Sequence, residues 1–202
     1  MDSPMIIPSE DDRAVSELLW FWAAIFDGPP SDEVWGQMHR VWTSLQDAGV
    51  KDALPALNTA ELAREYEAWL LIPYGKNPTS PYDDSETQLA DGTMDLWILA
   101  AALEVPWQKE RYIPGRAYPI RPDHLSVLLA LWAVLIPLPF EWEIAGQPVG
   151  KWKKTVGNAV CGILGRLSQQ MPDGTGYQGL AHAALSYSRQ VMDWDTETIN
   201  RS

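Results

Sequence analysis

Cys161 is the single cysteine of the chain, so an intramolecular disulfide and a thiolate metal cluster are both excluded. Histidine is scarce too. His39, His124 and His182 show neither HxxxH nor HExxH spacing, and no metal site is expected. Basic residues are few: 15 Lys and Arg against 27 Asp and Glu leave a net charge of -12. That field repels nucleic acid and anionic membrane surfaces, and it draws basic partners. No apolar run is long enough to span a bilayer, because residues 125–140 are interrupted by Ser126, Pro137 and Pro139, short of the roughly 20 residues required. The opening MDSPMIIPSEDD has neither a basic start nor a long apolar stretch, so no secretory signal is expected. Together these absences suit a protein of a reducing compartment without stable membrane insertion.

What remains is rich in helical periodicity, and no segment reads clearly as a strand. Residues 9–27 carry Val15, Leu18, Leu19, Trp22 and Phe26 at spacings of three and four, and Gly28-Pro29-Pro30 stops the run. Ser31 caps a second helix that aligns Val34, Trp35, Met38, Val41, Trp42 and Leu45 and ends near Gly49. A third starts at Asn58 or Thr59 and runs to about Leu71. A loop follows over about 73–92, a length that compact domains usually reserve for function. A fourth helix is expected over about 93–104. A Pro/Gly-rich connection through Pro106, Pro114, Gly115, Pro119 and Pro122 comes next. The fifth helix starts near Pro122 or Asp123 and ends before Pro137. After a break at 146–150, residues 151–171 and 177–192 make the last two helices. There is no internal repeat. The expected architecture over 1–202 is an all-α helical bundle in a single domain.

Two segments carry chemistry. In EYEAWLLIPYGKNPTSPYDDSE, beginning at Glu65, Tyr66, Trp69 and Leu70 share a helix face. Pro73 opens the following loop, and Pro78 and Pro81 stiffen it, lowering the entropy lost on ordering it around a ligand. Tyr82 offers a ring with a polar tip, and Asp83, Asp84 and Glu86 offer carboxylates to guanidinium groups. A flat aromatic surface with aimed carboxylates suits an extended apolar and basic peptide. Equally, the loop reads as a solvated acidic turn whose prolines end a helix. In RPDHLSVLLALWAVL, beginning at Arg121, Asp123 stands as a helix cap favoured by the dipole, with His124 at the lip of a groove. The plainer alternative is a cap beside a surface histidine.

In this order, the two segments resemble the TorD/DmsD/NarJ family of chaperones that mature molybdenum oxidoreductases. Tyr66, Trp69-Leu70 and Pro73 match the opening of the family's first block, and Pro81-Tyr82 match its later Pro-aromatic step. Pro122, Asp123, His124 and Leu125 match the family's second block, in which Pro is followed by any residue or a second Pro and then by Asp-His and an apolar helix, with a weaker echo at Ala145 to Pro148. Ile72, Ser80 and Leu129 depart from residues common in relatives. The resemblance implies a helical bundle of the TorD/DmsD type that is not an enzyme and has no cofactor of its own. Its partner would be the apo catalytic subunit of a molybdenum oxidoreductase, held by a twin-arginine-type N-terminal leader. Tyr66, Trp69, Leu70, Pro73, Pro81, Tyr82, Asp83, Asp123 and His124 would bind it. Relatives include domain-swapped dimers, so a homodimer is compatible.

The rivals have thin material. Cys161 lies among Val160, Gly162 and Ile163 as a small core residue. Gly174-Thr175-Gly176 follows a helix and lacks the Lys of a phosphate loop. Glu61, Glu65 and Glu67 read as a solvated helix face. A small-molecule enzyme thus finds no site, and a generic helical adaptor or oligomerisation module is the remaining alternative.

Overall fold

The computed structural model describes residues 9–47, 54–56, 58–70, 81, 89–105, 110–113, 116–119 and 123–201. Among them seven helices form an all-α bundle: α1 Glu10–Asp27, α2 Asp32–Asp47, α3 Thr59–Trp69, α4 Leu89–Ala102, α5 Leu125–Leu135, α6 Val149–Gln170 and α7 Gly176–Arg201. Their starts follow local chemistry. Ser9 accepts the Asp12 N–H at 3.0 Å while Asp12 accepts the Ser9 N–H at 3.1 Å, and Asn58 and Glu61 repeat this exchange at the head of α3. The Ser31 hydroxyl oxygen accepts the Val34 N–H at 3.3 Å, as its capping role requires. The Thr59 hydroxyl donates to Asp32, tying the start of α3 to that of α2.

α5 is the central element. Every residue from Leu125 to Ala133 is buried, so this helix is apolar all round and lies against α1 on one side and α6 on another. α6 in turn packs on α7. Gly157 makes the close approach possible, since a Cβ there would lie 2.3 Å from the Met192 Sδ and 2.9 Å from the Trp132 ring. Lys153, buried, donates to the Ile136 carbonyl at 2.8 Å and sits 4.1 Å from the centroid of the Phe140 ring. Its charge thereby meets the negative end of the α5 dipole. A chain of rings, Tyr187, Trp42, Trp22, Phe26, Tyr177 and Tyr66, runs through the core at successive centroid separations of 5.3 to 6.4 Å. Such offset and edge-on pairs add to the area they bury.

Several expectations are corrected. Two antiparallel hairpins are present: Glu110–Ile113 (β1) with Arg116–Pro119 (β2), and Glu143–Ile144 (β3) with Gln147–Pro148 (β4). The second turns on Ala145 (φ 52) and Gly146 (φ 76), two consecutive left-handed residues as a two-residue hairpin turn needs. The Trp152 Nε1 pins it by donating to the Ile144 carbonyl at 2.8 Å. α4 begins at Leu89, inside the expected loop, and α6 begins at Val149. α7 continues to Arg201, past the point where apolar periodicity stops at Met192. No helix among the described residues is long and apolar enough to cross a membrane.

Candidate functional site

The first turn of α5 explains why its polar residues lie inside. His124, in extended conformation, is the N-cap, and its Nδ1 accepts the Ser126 N–H at 3.2 Å. An acceptor at Nδ1 places the proton of the neutral ring on Nε2. The Val127 and Leu128 N–H groups bond the His124 carbonyl at 2.9 and 3.0 Å, and the Leu125 N–H donates to the Pro81 carbonyl at 2.8 Å. All the amides of this turn are thus engaged, and none is left for an anion.

A second layer of contacts comes from α1. The Ser126 Oγ lies 2.7 Å from the His124 Nδ1 and 3.2 Å from the Asp27 Oδ1, so its one hydrogen serves either acceptor. The Asp27 main-chain carbonyl accepts the Tyr66 hydroxyl at 3.3 Å, and the Ile25 carbonyl accepts the Tyr177 hydroxyl at 3.2 Å. Two tyrosines, with rings 5.6 Å apart, therefore satisfy carbonyls that the end of α1 leaves without helical partners. Asp27 joins both sequence segments: Tyr66 reaches its main chain and Ser126 its carboxylate.

The expected site residues fall into three groups. Asp123, His124, Tyr66, Leu70 and Pro81 are buried, with Asp123 only 1% and His124 only 2% exposed. This corrects the placement of the Asp-His pair at an open lip, because the pair is interior, and it corrects the cap, which is His124 instead of Asp123. Tyr66 and Leu70, expected among the peptide-binding residues, belong to the core. Trp69 is half-buried and packs its inner side on that core. Pro73, Tyr82 and Asp83 lie outside the described residues, as does most of the 73–92 loop.

Sequence reasoning missed Asp27 and Ser126. A signal for Asp27 was present: an acid as the last residue of a helix opposes the dipole and needs a separate reason to be there. Ser126 stood out only as the one polar side chain inside an apolar helix.

Among the described residues the other reactive groups form no cluster. His39 stands edge-on to Trp35 at 4.6 Å, and His182 is exposed on α7. Burial pushes the Cys161 thiol up, with the Arg189 charge opposing, which leaves a weakly reactive half-buried thiol. No group of three or more His, Cys, Asp or Glu among the described residues is placed to hold a metal ion. The chain matches no protein-family model, no curated protein and no solved structure.

Proposed function

We propose that this protein is a cytoplasmic, non-catalytic chaperone. It holds the N-terminal, twin-arginine-type leader of a molybdenum oxidoreductase catalytic subunit while the apo-enzyme receives its cofactor. The observation that carries this reading is the 2.8 Å bond from the Leu125 N–H to the Pro81 carbonyl. It brings the two segments that resemble the chaperone family to one place, although they lie far apart in the chain. Tyr66, Leu70, Asp123 and His124 then serve as the frame of the site. The contact residues are Trp69 and the pair that follows Pro81 in the chain, Tyr82 and Asp83. The net charge of -12 supports a basic guest.

The test is a titration calorimetry series with synthetic peptides matching the N-terminal leaders of molybdenum oxidoreductase catalytic subunits. Micromolar or tighter binding is expected. It should weaken with salt, since exposed Arg–carboxylate attraction is screened over about 8–10 Å at physiological ionic strength. Tyr82→Ala should lower affinity by about 1–3 kcal/mol with little change in melting, as interface anchors do. Absence of binding at low salt would overturn the reading and leave the generic adaptor.

A further inference from the structure

The hairpin of β3 and β4 is held on the start of α6 by main-chain bonds. The Val149 N–H donates to the Trp142 carbonyl at 2.7 Å, and the Gly150 N–H to the Phe140 carbonyl at 3.1 Å. A Cβ at Gly150 would lie 2.8 Å from the Phe140 ring, so the two segments are in close contact. With the bond from the Trp152 Nε1 to the Ile144 carbonyl, this corner is fixed before anything binds it. On its outer side Trp142 remains 36% exposed, beside exposed Ala145, Gly146 and Pro148. An indole on a rigid support, among small groups that let another surface approach, has the properties of an interface anchor.

Charge surrounds this patch in both signs. Glu141 and Glu143 flank Trp142 in the chain, and Lys151 and Lys154 lie one turn apart on α6; all four are exposed. Among the described residues, no side chain of the four takes part in an ion pair. Elsewhere the chain is one-sided. Residues 1–104 hold 5 Lys and Arg against 19 Asp and Glu, whereas residues 123–202, which build α5, the hairpin, α6 and α7, hold 6 against 7. The negative excess that keeps copies apart therefore belongs to the first part of the chain, and the segment that builds this corner is nearly balanced.

We infer that this corner is a self-association surface, on which a second copy of the chain packs about a two-fold axis. The mixed charge selects this occupant. In a two-fold interface a patch meets its own image, so the glutamates of each copy face the lysines of the other. A basic segment is opposed by Lys151 and Lys154, and an anionic surface by Glu141 and Glu143. The indole of each copy is covered near the centre and the charge pairs form the rim, as in protein interfaces generally. The patch is small, so the dimer is weak and exchanges rapidly, with each fold kept intact. The surface uses none of the residues assigned to the leader and does not rest on the function proposed above.

The experiment is sedimentation velocity of the full-length protein over a concentration series. It should show a rapid monomer–dimer equilibrium that weakens with added salt. Reversing the charge on one side alone, by Glu141→Lys/Glu143→Lys or by Lys151→Glu/Lys154→Glu, should weaken the dimer at least tenfold. The melting curve should not change, because all four positions are exposed. Each double variant carries a single sign at the corner and repels its own copy. Mixed together the two are complementary, so the mixture should form a mixed dimer, and the variant with all four reversals should regain self-association. A wild type that stays monomeric at every concentration overturns the inference. So does a dimer that neither double variant weakens, or a mixture of the two that does not associate. A dimer that forms only after partial unfolding and persists on dilution overturns it too, since that is an exchange of helices and not a packed corner.

Discussion

Asp27, the last residue of α1, accepts the Ser126 hydroxyl of α5 at 3.2 Å. An aspartate at that end of a helix faces the helix's own unpaired carbonyls, an unfavourable place for a negative charge. α5 presents a hydroxyl to that charge, and among the described residues α1 and α5 are the most extensively packed pair of helices. Around this bond stand Tyr66, His124 and Pro81, so one junction unites the end of α1, the face of α3 and the start of α5. Substitutions here therefore report on architecture before they report on any guest.

The cap is the first such test. Loss of an N-cap costs about 0.5–2 kcal/mol, so His124→Ala should lower the urea midpoint accordingly. His124→Asn should recover most of the loss, because Asn caps well. A His124→Ala variant of wild-type stability would mean the Nδ1 bond contributes nothing. Because Asp123 is not the cap, any loss in Asp123→Asn reports on the surroundings of its buried carboxylate instead.

The tyrosine pair makes a second prediction. Tyr66→Phe and Tyr177→Phe each keep the ring and remove one hydroxyl donated to the end of α1. Each should cost about 0.5–1.5 kcal/mol, the net worth of a buried hydrogen bond. Tyr66→Phe should leave peptide affinity unchanged, in contrast to Tyr82→Ala. Chemical denaturation paired with calorimetry checks both, and a binding loss in Tyr66→Phe would return that ring to the contact surface.

Much of the fold was legible where local chemistry decides it. The exchanges Ser9–Asp12 and Asn58–Glu61, the Gly28-Pro29-Pro30 stop and the uninterrupted apolar run of α5 each state their structure within a few residues. The hairpin at 143–148 was hidden because its turn uses Ala145 where Asn or Gly is usual. The end of α7 was hidden because helix continues there without an apolar stripe to mark it. The burial of Asp123 and His124 was the larger miss. Locally the pair reads as a polar helix mouth, whereas the adjoining turn is joined to α1 by the Ser126–Asp27 bond and to Pro81 by the Leu125 N–H. Such contacts leave no periodic trace in either segment.

Tyr187 predicts an alkaline sensitivity. Its hydroxyl is buried with no hydrogen-bond partner among the described residues, and burial holds it neutral far above the ordinary phenol range. The folded state therefore keeps a proton that the unfolded chain releases near pH 10. Stability from this group is complete below that pH and is lost as pH rises further. Tyr187→Phe should match or exceed the wild type at pH 8, since no bond is removed, and should lose less stability between pH 9 and 11. Thermal melts across that range decide it; parallel curves for the two proteins would assign the alkaline loss elsewhere.

Glu104 supplies the last prediction. At φ 53 a side chain is strained by about 1–2 kcal/mol relative to the right-handed region, and glycine escapes that strain. Glycine also loosens the unfolded chain, which offsets about 0.4–1 kcal/mol of the gain. Glu104→Gly should therefore stabilise the protein by roughly 0.5–1 kcal/mol, the difference of these two effects. Asn tolerates the left-handed region better than most residues, so Glu104→Asn should fall between glycine and the wild type. Glu104→Ala removes the carboxylate but keeps the strain, so it should sit near the wild type. The order Gly, Asn, then Ala and Glu together in denaturation midpoints would isolate backbone conformation as the cause. An alanine variant as stable as the glycine variant would instead place the cost in the carboxylate's charge, and the left-handed turn would then carry no measurable strain.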